Sequence, residues 1–462
     1  MSEQAIINAK IVTPDGIVRG CVIYDDSNGK ILAVQEELPA DFPVSHRLDA
    51  GNAWLVPGGI DAHVHLGGFG EIPIEDDFYT GSLGALAGGT TTVIDFCESE
   101  KGETPEHCIR KRMKEAESAA VDYAFHFVMT RDYEKQLRDI QVILDFGITD
   151  FKLFTVYENT DLSMPEIAYV TDRLCQNVQD SGKFTFLVHG EEKGMIEDRK
   201  KQVKDPRDML MLARTRPGES ESRVAAELKK LAEDKGINLC IAHTSFGETV
   251  DLAADGNGTD DSGFMLETCP HYLEFTEEKL KGEDGCLYTM TPPLRKQEDT
   301  KKLWDGILDG RIRIFSTDHC PYSKLDKWGK TYETVPCGVD GIQTRMLYLF
   351  SEGVKKRGLS MEKFVQLTSE NAAKFYHRYP QKGCIMPGSD ADLVLIAEDK
   401  ITRICEENRK SNLDYTIYEG KVLEGSIQTV LKSGQIVYQD GKLNARKGSG
   451  KYLGIYEKGT KK

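Results

Sequence analysis

Six residues of the sequence have side chains that bind divalent metal ions, or could be modified to do so, and each lies near the end of an apolar run. They are His63, His65, Lys152, His189, His243 and Asp318. Imidazole and carboxylate groups suit a borderline cation such as Zn²⁺, and the histidines and aspartate suffice for two ions if a further group bridges them. The set therefore predicts a dinuclear metal centre with hydrolytic chemistry.

Lys152 is the unusual member of this set, because a lysine with its ordinary pKa of about 10.4 is protonated and repels cations. A carbamate formed from its amine and carbon dioxide is anionic and offers two oxygens that can bridge two ions. We therefore predict that Lys152 is N6-carboxylysine. Two ions bridged in this way would activate a hydroxide and polarise an amide carbonyl. A lone lysine is more often an ordinary buried or salt-bridged side chain, so this prediction depends on the whole set.

Eight apolar runs alternate with longer helical stretches and predict the elements that bring these residues together. The runs are LVPGGIDAHVH, TTTVIDF, DYAFHFVM, DFKLF, FTFLVHG, NLCIAHT, FMLETCPHYL and RIRIFSTDH. Eight strand–helix units form a (β/α)8 barrel, whose active site lies at the carboxyl ends of the strands. His63 and His65 are two residues apart on the first run, so both can face the same side. The six side chains are thus expected to meet at one mouth of the barrel.

Short strand-like runs separated by turn residues occupy both ends of the chain. AIINAKIV, GCVIYDD and KILAVQE lie near the start, and DADLVLIAED and TVLKSGQIVYQDGKL lie near the end. Such runs are typical of a small β-sheet. We predict one β-domain formed by residues 1–54 and 381–462, interrupted by the barrel at 55–380.

Composition and charge exclude several classes of partner. Hydrophobic residues make up 39% and charged residues 29% of the 462 residues, and the net charge is -16. A negative field repels nucleic acid and anionic membrane surfaces, so neither is expected as a partner. No apolar run reaches the roughly 20 residues of a membrane span, and the first residues lack a secretory signal, which predicts a cytoplasmic protein. The 11 cysteines contain no C-x-x-C pair, so we expect no disulfide framework.

The other histidines do not share the placement of the predicted ligands. We predict that three of them, which lie in polar or helix-like segments, are structural or exposed: His46, His107 and His377. His126 and His271 lie within the third and seventh runs, which predicts core or supporting roles. His319 follows Asp318 directly and could either orient that carboxylate or touch the substrate.

Several motifs together resemble one family. PGGIDAHVHL, DFKLF, LVHGE, IAHTS and STDH, with GGTTTVIDF, ETCPHYL and TPPLR, resemble the cyclic amidohydrolases, most closely the dihydropyrimidinase/hydantoinase branch. The resemblance covers nearly the whole chain, including KGCIMPGSDADLVLI, which is typical of the β-sandwich of these proteins. It implies an α/β fold, a (β/α)8 TIM barrel with a small β-sandwich domain built from both chain ends, and a homotetramer. It also implies opening of a cyclic amide, in hydantoins or dihydropyrimidines, to N-carbamoyl amino acids by a metal-bridging hydroxide.

The resemblance also implies a role for each residue of the site. One ion, the more buried, would be held by His63, His65 and Asp318, the other by His189 and His243, and both by carboxylated Lys152. Asp318 would take the proton of the attacking hydroxide and hand it to the leaving ring nitrogen. Tyr157, shortly after the lysine, would hydrogen-bond the oxyanion. Two divalent ions, taken to be Zn²⁺, would therefore be the cofactors.

The sequence departs from the family pattern at the two segments whose backbone groups hold the ring amide. Thr291 replaces the serine of the family's SPPLR motif, and Cys337 precedes Gly338 where asparagine is usual. Backbone contacts tolerate such changes, so substrate binding is still expected at Thr291 and Cys337. Apolar residues on the loops after the first and fourth strands suggest an apolar pocket for the ring substituent; these are Leu66, Phe69, Ile72, Ile74 and Leu162.

Three alternatives remain to be weighed within this fold. Dihydroorotase has an HxHxR motif whose arginine binds the substrate carboxylate, and Gly67 at that position argues against such a substrate. Allantoinase is harder to exclude, because its substrate is itself a substituted hydantoin. A metal-free scaffold relative, such as the collapsin-response proteins, is disfavoured because every expected ligand is present.

Overall fold

The computed structural model describes residues 3–43, 47–68, 73–176, 184–253 and 263–455. Its strands are β1 (Glu3–Thr13), β2 (Gly16–Asp25), β3 (Lys30–Gln35), β4 (Arg47–Asp49), β5 (Trp54–Pro57), β6 (Gly59–Asp61), β7 (Thr90–Cys97), β8 (Asp122–Val128), β9 (Asp150–Phe154), β10 (Thr185–His189), β11 (Asn238–Ile241), β12 (Phe264–Thr268), β13 (Ile314–Phe315), β14 (Leu393–Arg403), β15 (Val422–Lys432), β16 (Gln435–Gln439) and β17 (Lys442–Leu443). Its α-helices are α1 (Phe78–Ala87), α2 (Pro105–Ala116), α3 (Tyr133–Arg138), α4 (Ile140–Asp145), α5 (Met164–Gln176), α6 (Lys193–Lys200), α7 (Leu210–Thr215), α8 (Gly218–Lys235), α9 (Gly247–Val250), α10 (Pro270–Glu274), α11 (Gln297–Asp309), α12 (Lys324–Lys327), α13 (Arg345–Tyr348), α14 (Met361–Val365) and α15 (Asn371–Phe375).

Strands β6 to β13 form an eight-stranded sheet in which each strand pairs with the next along the chain. The pairs are parallel, so each connection must cross over, and helices lie in most of these connections. Every residue of β7 and β8 is buried, as expected for parallel strands covered on both faces. Each of the eight predicted runs contains one of these strands.

The first and last strands of this sheet are joined by side chains and an isolated bridge. Val64 and His319 form a parallel bridge beyond the ends of β6 and β13. The buried guanidinium of Arg345 donates to the carbonyls of Ile60 and Phe315 at 3.0 and 2.7 Å. Asp61 accepts hydrogen bonds from the backbone and hydroxyl of Thr317 at 3.0 and 2.7 Å. These contacts nearly close the barrel and place the two strand ends side by side.

Two boundaries differ from the sequence prediction. The first run is divided at Gly58, so that its beginning is β5 of another sheet and only β6 belongs to the barrel. His271 lies in α10, after β12, rather than inside the seventh strand. Pro270 accounts for this second difference, because it lacks a backbone N–H for the ladder and favours the first position of a helix.

The remaining nine described strands form one mostly antiparallel sheet from both ends of the chain. Strand β5 pairs with β1 on one side and with β14 on the other, with Val56 opposite Val394. Ile11, Leu55 and Leu393 belong to its hydrophobic core. The prediction of a (β/α)8 barrel with a small β-domain built from both chain ends is confirmed.

No helix within the described ranges combines the length and apolar composition needed to cross a bilayer. All 11 cysteines are described and are free thiols. Helix α8 ends at Lys235, and Gly236 follows with a φ of 61°. A glycine in the left-handed conformation is a common way for a helix to end.

Candidate metal centre and active site

Three of the predicted ligands converge just beyond β6 and β13. The carboxylate Oδ1 of Asp318 lies 3.0 Å from Nε2 of His65 and 3.2 Å from Nε2 of His63. The ligand atoms of the three residues all lie within 4.8 Å of one another. Two imidazole nitrogens and a carboxylate oxygen in this arrangement are suited to a single divalent cation.

His189 and His243 form a second group beside the first. Nδ1 of His189 lies 3.0 Å from Nε2 of His243, and the ring centroids of His243 and His63 are 5.2 Å apart. The two groups therefore line one cavity, in which a second cation would lie next to the first.

Two buried carboxylates fix which ring nitrogen of each histidine faces the cavity. Glu267 Oε1 lies 2.8 Å from Nδ1 of His63, which leaves Nε2 of that ring toward Asp318. Glu191 Oε2 lies 2.7 Å from Nε2 of His189, which leaves Nδ1 toward His243. A carboxylate behind a ligating histidine is the usual way in which its tautomer and orientation are set.

Sequence reasoning assigned no role to Glu191 or Glu267. The available signals were weak: Glu191 lies two residues after His189 in LVHGE, and Glu267 lies within the seventh run, for which no ligand was predicted. Because both are fully buried, they require charged or polar partners. That requirement appears only once the fold places them behind the histidines.

Burial lowers the pKa of His63, His189 and His243 from the ordinary value. Removing an imidazolium from water disfavours its charged form, so these rings are neutral at pH 7. Neutral imidazole is the form that binds a metal ion. The protonation states of the cluster thus fit a cation rather than an anion.

Lys152 lies on β9 with its side chain buried inside the barrel mouth. Its Nζ is 5.0 Å from the ring centroid of Phe154 and 5.4 Å from that of Phe96. Among the described residues Nζ has no hydrogen-bond partner, and burial lowers its pKa. A buried amine without a partner is costly. A carbamate whose oxygens bind cations would remove this cost, so the residues fit a bridged pair of ions.

Tyr157 lies beyond the end of β9 and directs its hydroxyl into the site. Its oxygen accepts from Nη2 of Arg216 at 3.1 Å and donates to Oγ1 of Thr291 at 2.6 Å. Arg216 also donates to Glu191, with Nε 3.1 Å from Oε2. Burial of the hydroxyl end raises the pKa of Tyr157, while the guanidinium of Arg216 lowers it. The phenol is therefore protonated and can donate a hydrogen bond.

Three residues of the site have backbone angles that non-glycine residues rarely adopt. The φ angles of Tyr157, His243 and Asp318 are 78°, 37° and 50°. Such residues cost about 1–3 kcal/mol each and tend to occur where function requires a particular side-chain direction. Here the three residues lie on three different connections and face the same cavity.

The two segments expected to bind the substrate lie together on the Tyr157 side of the cavity. Thr291 accepts from Tyr157, and the N–H of Gly338 donates to the carbonyl of Thr289 at 2.9 Å. Cys337 is half-buried and close enough to Tyr157 to affect the pKa of its hydroxyl.

The other histidines have separate surroundings. Nε2 of His126 is 2.9 Å from the carbonyl of Ala62, so it supports the end of the first barrel strand. His271 is buried in α10. His319 is held by Asp76, 3.0 Å from Nε2, and by the N–H of Gly341, so both ring nitrogens have a partner other than Asp318.

The predicted apolar pocket and exposed histidines are described only in part. His46, Phe69 and Ile72 lie outside the described residues. Leu66 and Leu162 are buried in the main hydrophobic core. His107 is exposed on α2 beside Glu103.

Comparison with known proteins places these features in context. The model of the amidohydrolase family matches residues 54–437. D-phenylhydantoinase of Escherichia coli (strain K12 / DH10B) is 32% identical over 464 residues, which cover 97% of each chain. A crystal structure of D-hydantoinase superposes with a TM-score of 0.91 at 30% identity, covering 99% of this chain and 100% of that one. Dihydropyrimidinase from Brevibacillus agri NCHU1002 also has a TM-score of 0.91 at 30% identity, covering 98% and 99%.

Proposed function

Because this chain belongs to the amidohydrolase family, we propose that it opens the ring of hydantoins or dihydropyrimidines to give N-carbamoyl amino acids. The observation that carries the proposal is the convergence of four histidines, a lysine and an aspartate at one barrel mouth. Relatives of nearly equal length, named as D-phenylhydantoinase, D-hydantoinase and dihydropyrimidinase, support the cyclic amide as the substrate class.

The proposed cofactors are two Zn²⁺ ions per chain. His63, His65 and Asp318 would hold the first ion, and His189 and His243 would hold the second. Carboxylated Lys152 would contribute one oxygen to each. When bound, two such ions lower the pKa of a bound water toward 7 and polarise the carbonyl that is attacked.

Asp318 is proposed to move the proton. Its Oδ1 faces His63 and His65, and within the described part of the chain Oδ2 makes no hydrogen bond. This second oxygen is available to take the proton of the attacking water and to return it to the ring nitrogen that leaves. Without that return the leaving group would be an amide anion, which is far too basic to depart.

Tyr157 is proposed to stabilise the oxyanion through its hydroxyl. Because the oxygen already accepts from Arg216, the single proton is free to turn from Thr291 Oγ1 toward the substrate. A donor aimed at the developing negative charge stabilises the transition state more than the ground state. Backbone groups near Thr291 and Cys337 would hold the planar amide of the ring.

A hydrolysis panel with zinc-loaded protein tests this function. The substrates are dihydrouracil, hydantoin, 5-phenylhydantoin, allantoin and dihydroorotate, with metal-stripped protein as the control. We expect turnover of the dihydrouracil and hydantoin substrates, and none by the stripped protein. Preference for dihydroorotate would contradict the interpretation of Gly67, and preference for allantoin would favour the alternative substrate class.

We further propose that the protein acts as a cytoplasmic homotetramer. Light scattering after size exclusion should give four times the 51.7 kDa of one chain. A monomer at micromolar concentration would contradict this assembly without affecting the proposed reaction.

A further inference from the structure

The short helix α12 shows an inverted distribution of charged and apolar side chains. Leu325 is 82% exposed, whereas the side chain of Lys327 is fully buried. Lysine is among the residues least often buried and leucine among the most often buried. The segment therefore directs its lysine inward against the general preference, which indicates a specific polar role for Lys327.

The ammonium group of Lys327 is surrounded by three oxygen acceptors. Nζ lies 3.1 Å from the carbonyl of Thr289, 3.2 Å from its Oγ1, and 2.6 Å from the carbonyl of Gly338. An ammonium has three donors, so each finds one acceptor. Lys327 makes no ion pair with any carboxylate that the structure describes, and burial lowers its pKa to about 8. The lysine is thus fixed by hydrogen bonds alone.

These acceptors belong to the two segments on the Tyr157 side of the site. Thr289 lies two residues before Thr291, and Gly338 follows Cys337. A direct hydrogen bond from the N–H of Gly338 to the carbonyl of Thr289 also joins them. Lys327 therefore joins one segment to the other through its ammonium group.

Gly338 is closely packed against Cys320, so segment 337–338 has little room to move at this point. A Cβ at this position would lie 2.3 Å from the carbonyl oxygen of Cys320, and the φ angle is 158°. A small displacement of segment 337–338 would therefore alter its backbone groups relative to the site.

We propose that Lys327 is a positioning residue that holds segment 289–291 against segment 337–338, so that their backbone groups bind the ring amide of the substrate. The inference rests on the proposed function, and it assigns a determinant of substrate binding outside the metal centre. Loss of the hydrogen bonds made by Lys327 should weaken binding of the substrate ring while leaving the metal ligands and Tyr157 in place. The Michaelis constant should then respond more than the turnover number.

The test compares Lys327→Met with the matched variant Lys324→Met on the same helix. Methionine fills a similar volume but has no donors, and Lys324 packs over Trp328 at 6.0 Å rather than against the two segments. For hydantoin, Lys327→Met should raise KM roughly 10-fold or more and change kcat less than about threefold. Its metal content should equal that of the wild type, and Lys324→Met should match the wild type throughout.

Thr289→Val provides an independent variant, because it removes one acceptor and leaves the lysine in place. It should raise KM in the same direction by a smaller factor, and its effect should not add to that of Lys327→Met. A wild-type KM in folded Lys327→Met would overturn the inference. If Lys327→Met does not fold, Thr289→Val decides in the same way. A wild-type enzyme that hydrolyses none of the panel would instead contradict the proposed function itself.

Discussion

At the scale of the residue, Tyr157 illustrates how surroundings assign a role. The residue is 38% exposed as a whole, yet its hydroxyl accepts from Arg216 and donates to Thr291. Its φ is 78°, an angle that non-glycine residues rarely adopt, and its ring centroid lies 5.1 Å from that of His189. Such a phenol has one proton to give and a fixed direction in which to give it.

Replacing Tyr157 with phenylalanine should lower kcat/KM about 100- to 1000-fold, the usual cost of removing one oxyanion donor. Metal content and melting temperature should stay at the wild-type level, because the hydroxyl contacts no proposed ligand. Tyr169→Phe is the matched control, since Tyr169 is 47% exposed on α5. Near-wild-type kcat/KM in Tyr157→Phe would remove this residue from the mechanism.

Replacing Lys152 with alanine should abolish bound metal and activity together, because no other described residue can bridge the two histidine groups. Lys193→Ala is the control, as Lys193 is half exposed on α6 and pairs with Asp161 and Glu197 rather than with a proposed ligand. Metal analysis and turnover should be measured on the same preparations. Full turnover by Lys152→Ala would rule out the bridging carbamate.

The ligands could be proposed from sequence because each lies at the end of an apolar run, where a barrel places its active site. The residues that support the ligands and Tyr157 could not be proposed from sequence. Arg216 is 25 residues from Glu191 along the chain, and no local pattern marks it as a partner of Tyr157. No sequence pattern singles out Lys327 either, since a lysine in a polar segment is expected to be exposed.

At the scale of the element, the eight barrel strands are predictable because parallel strands are buried on both faces and occur as continuous apolar runs. The boundaries of these strands are less predictable. Pro57, Gly58 and Gly59 indicate a break in the strand, but the sequence does not show that the chain leaves one sheet there and enters another. The N–H of Gly58 donates to the carbonyl of Asp392, which fixes that point only through a residue far along the chain.

A buried cluster of charges joins the barrel to the sheet of the chain ends. Nζ of Lys382 lies 2.6 Å from Asp122, 3.0 Å from Asp390 and 2.7 Å from Asp392. Lys432 of β15 lies 2.8 Å from Asp122, which begins β8. Burial alone would raise the pKa of Asp122, but the two lysines outweigh it and the pKa is lowered.

Lys382→Met should lower the free energy of unfolding by about 3–5 kcal/mol, because it leaves buried carboxylates without their partner. Lys374→Met, at a half-exposed lysine of α15 that pairs with Glu370, should change it by less than about 1 kcal/mol. Urea unfolding at pH 7 measures both. A loss no larger than that of the control would mean that the cluster does not stabilise the fold.

The same cluster should make the stability of the protein depend on pH in acid. Because the pKa of Asp122 is lower in the folded than in the unfolded protein, its contribution is present above the unfolded pKa of about 3.9 and is lost as pH falls below it. In Lys382→Met the folded pKa of Asp122 should rise toward the unfolded value, so the loss of stability from this group in acid should be smaller and should end at a higher pH. Parallel pH profiles for variant and wild type would contradict this linkage.

At the scale of the whole molecule, the two ends of the chain are held in one sheet while the barrel occupies the sequence between them. Strand β5 lies between β1 and β14. A single residue, Gly58, separates it from β6, the first strand of the barrel. The similar composition of the two ends made their association predictable. The register that places Val56 opposite Val394 could not be predicted, since it depends on which apolar faces meet in the folded core.

This arrangement predicts that the sheet and the barrel unfold together. Trp54 of β5 hydrogen-bonds Glu398 in the sheet, and the buried Trp304 of α11 hydrogen-bonds the carbonyl of Leu273 in the barrel. The third tryptophan, Trp328, is 50% exposed and can be replaced by phenylalanine. Two variants, each retaining one of the other tryptophans, then report on the two units separately.

The fluorescence midpoints of these two variants in urea should coincide, as a single cooperative transition requires. Adding Lys382→Met to both weakens the charged contact between the units and should move the two midpoints apart. Separate midpoints without Lys382→Met would show that the β-domain unfolds independently. In that case the buried cluster would not couple the two units, and the ends of the chain would be joined to the barrel only through the covalent connections.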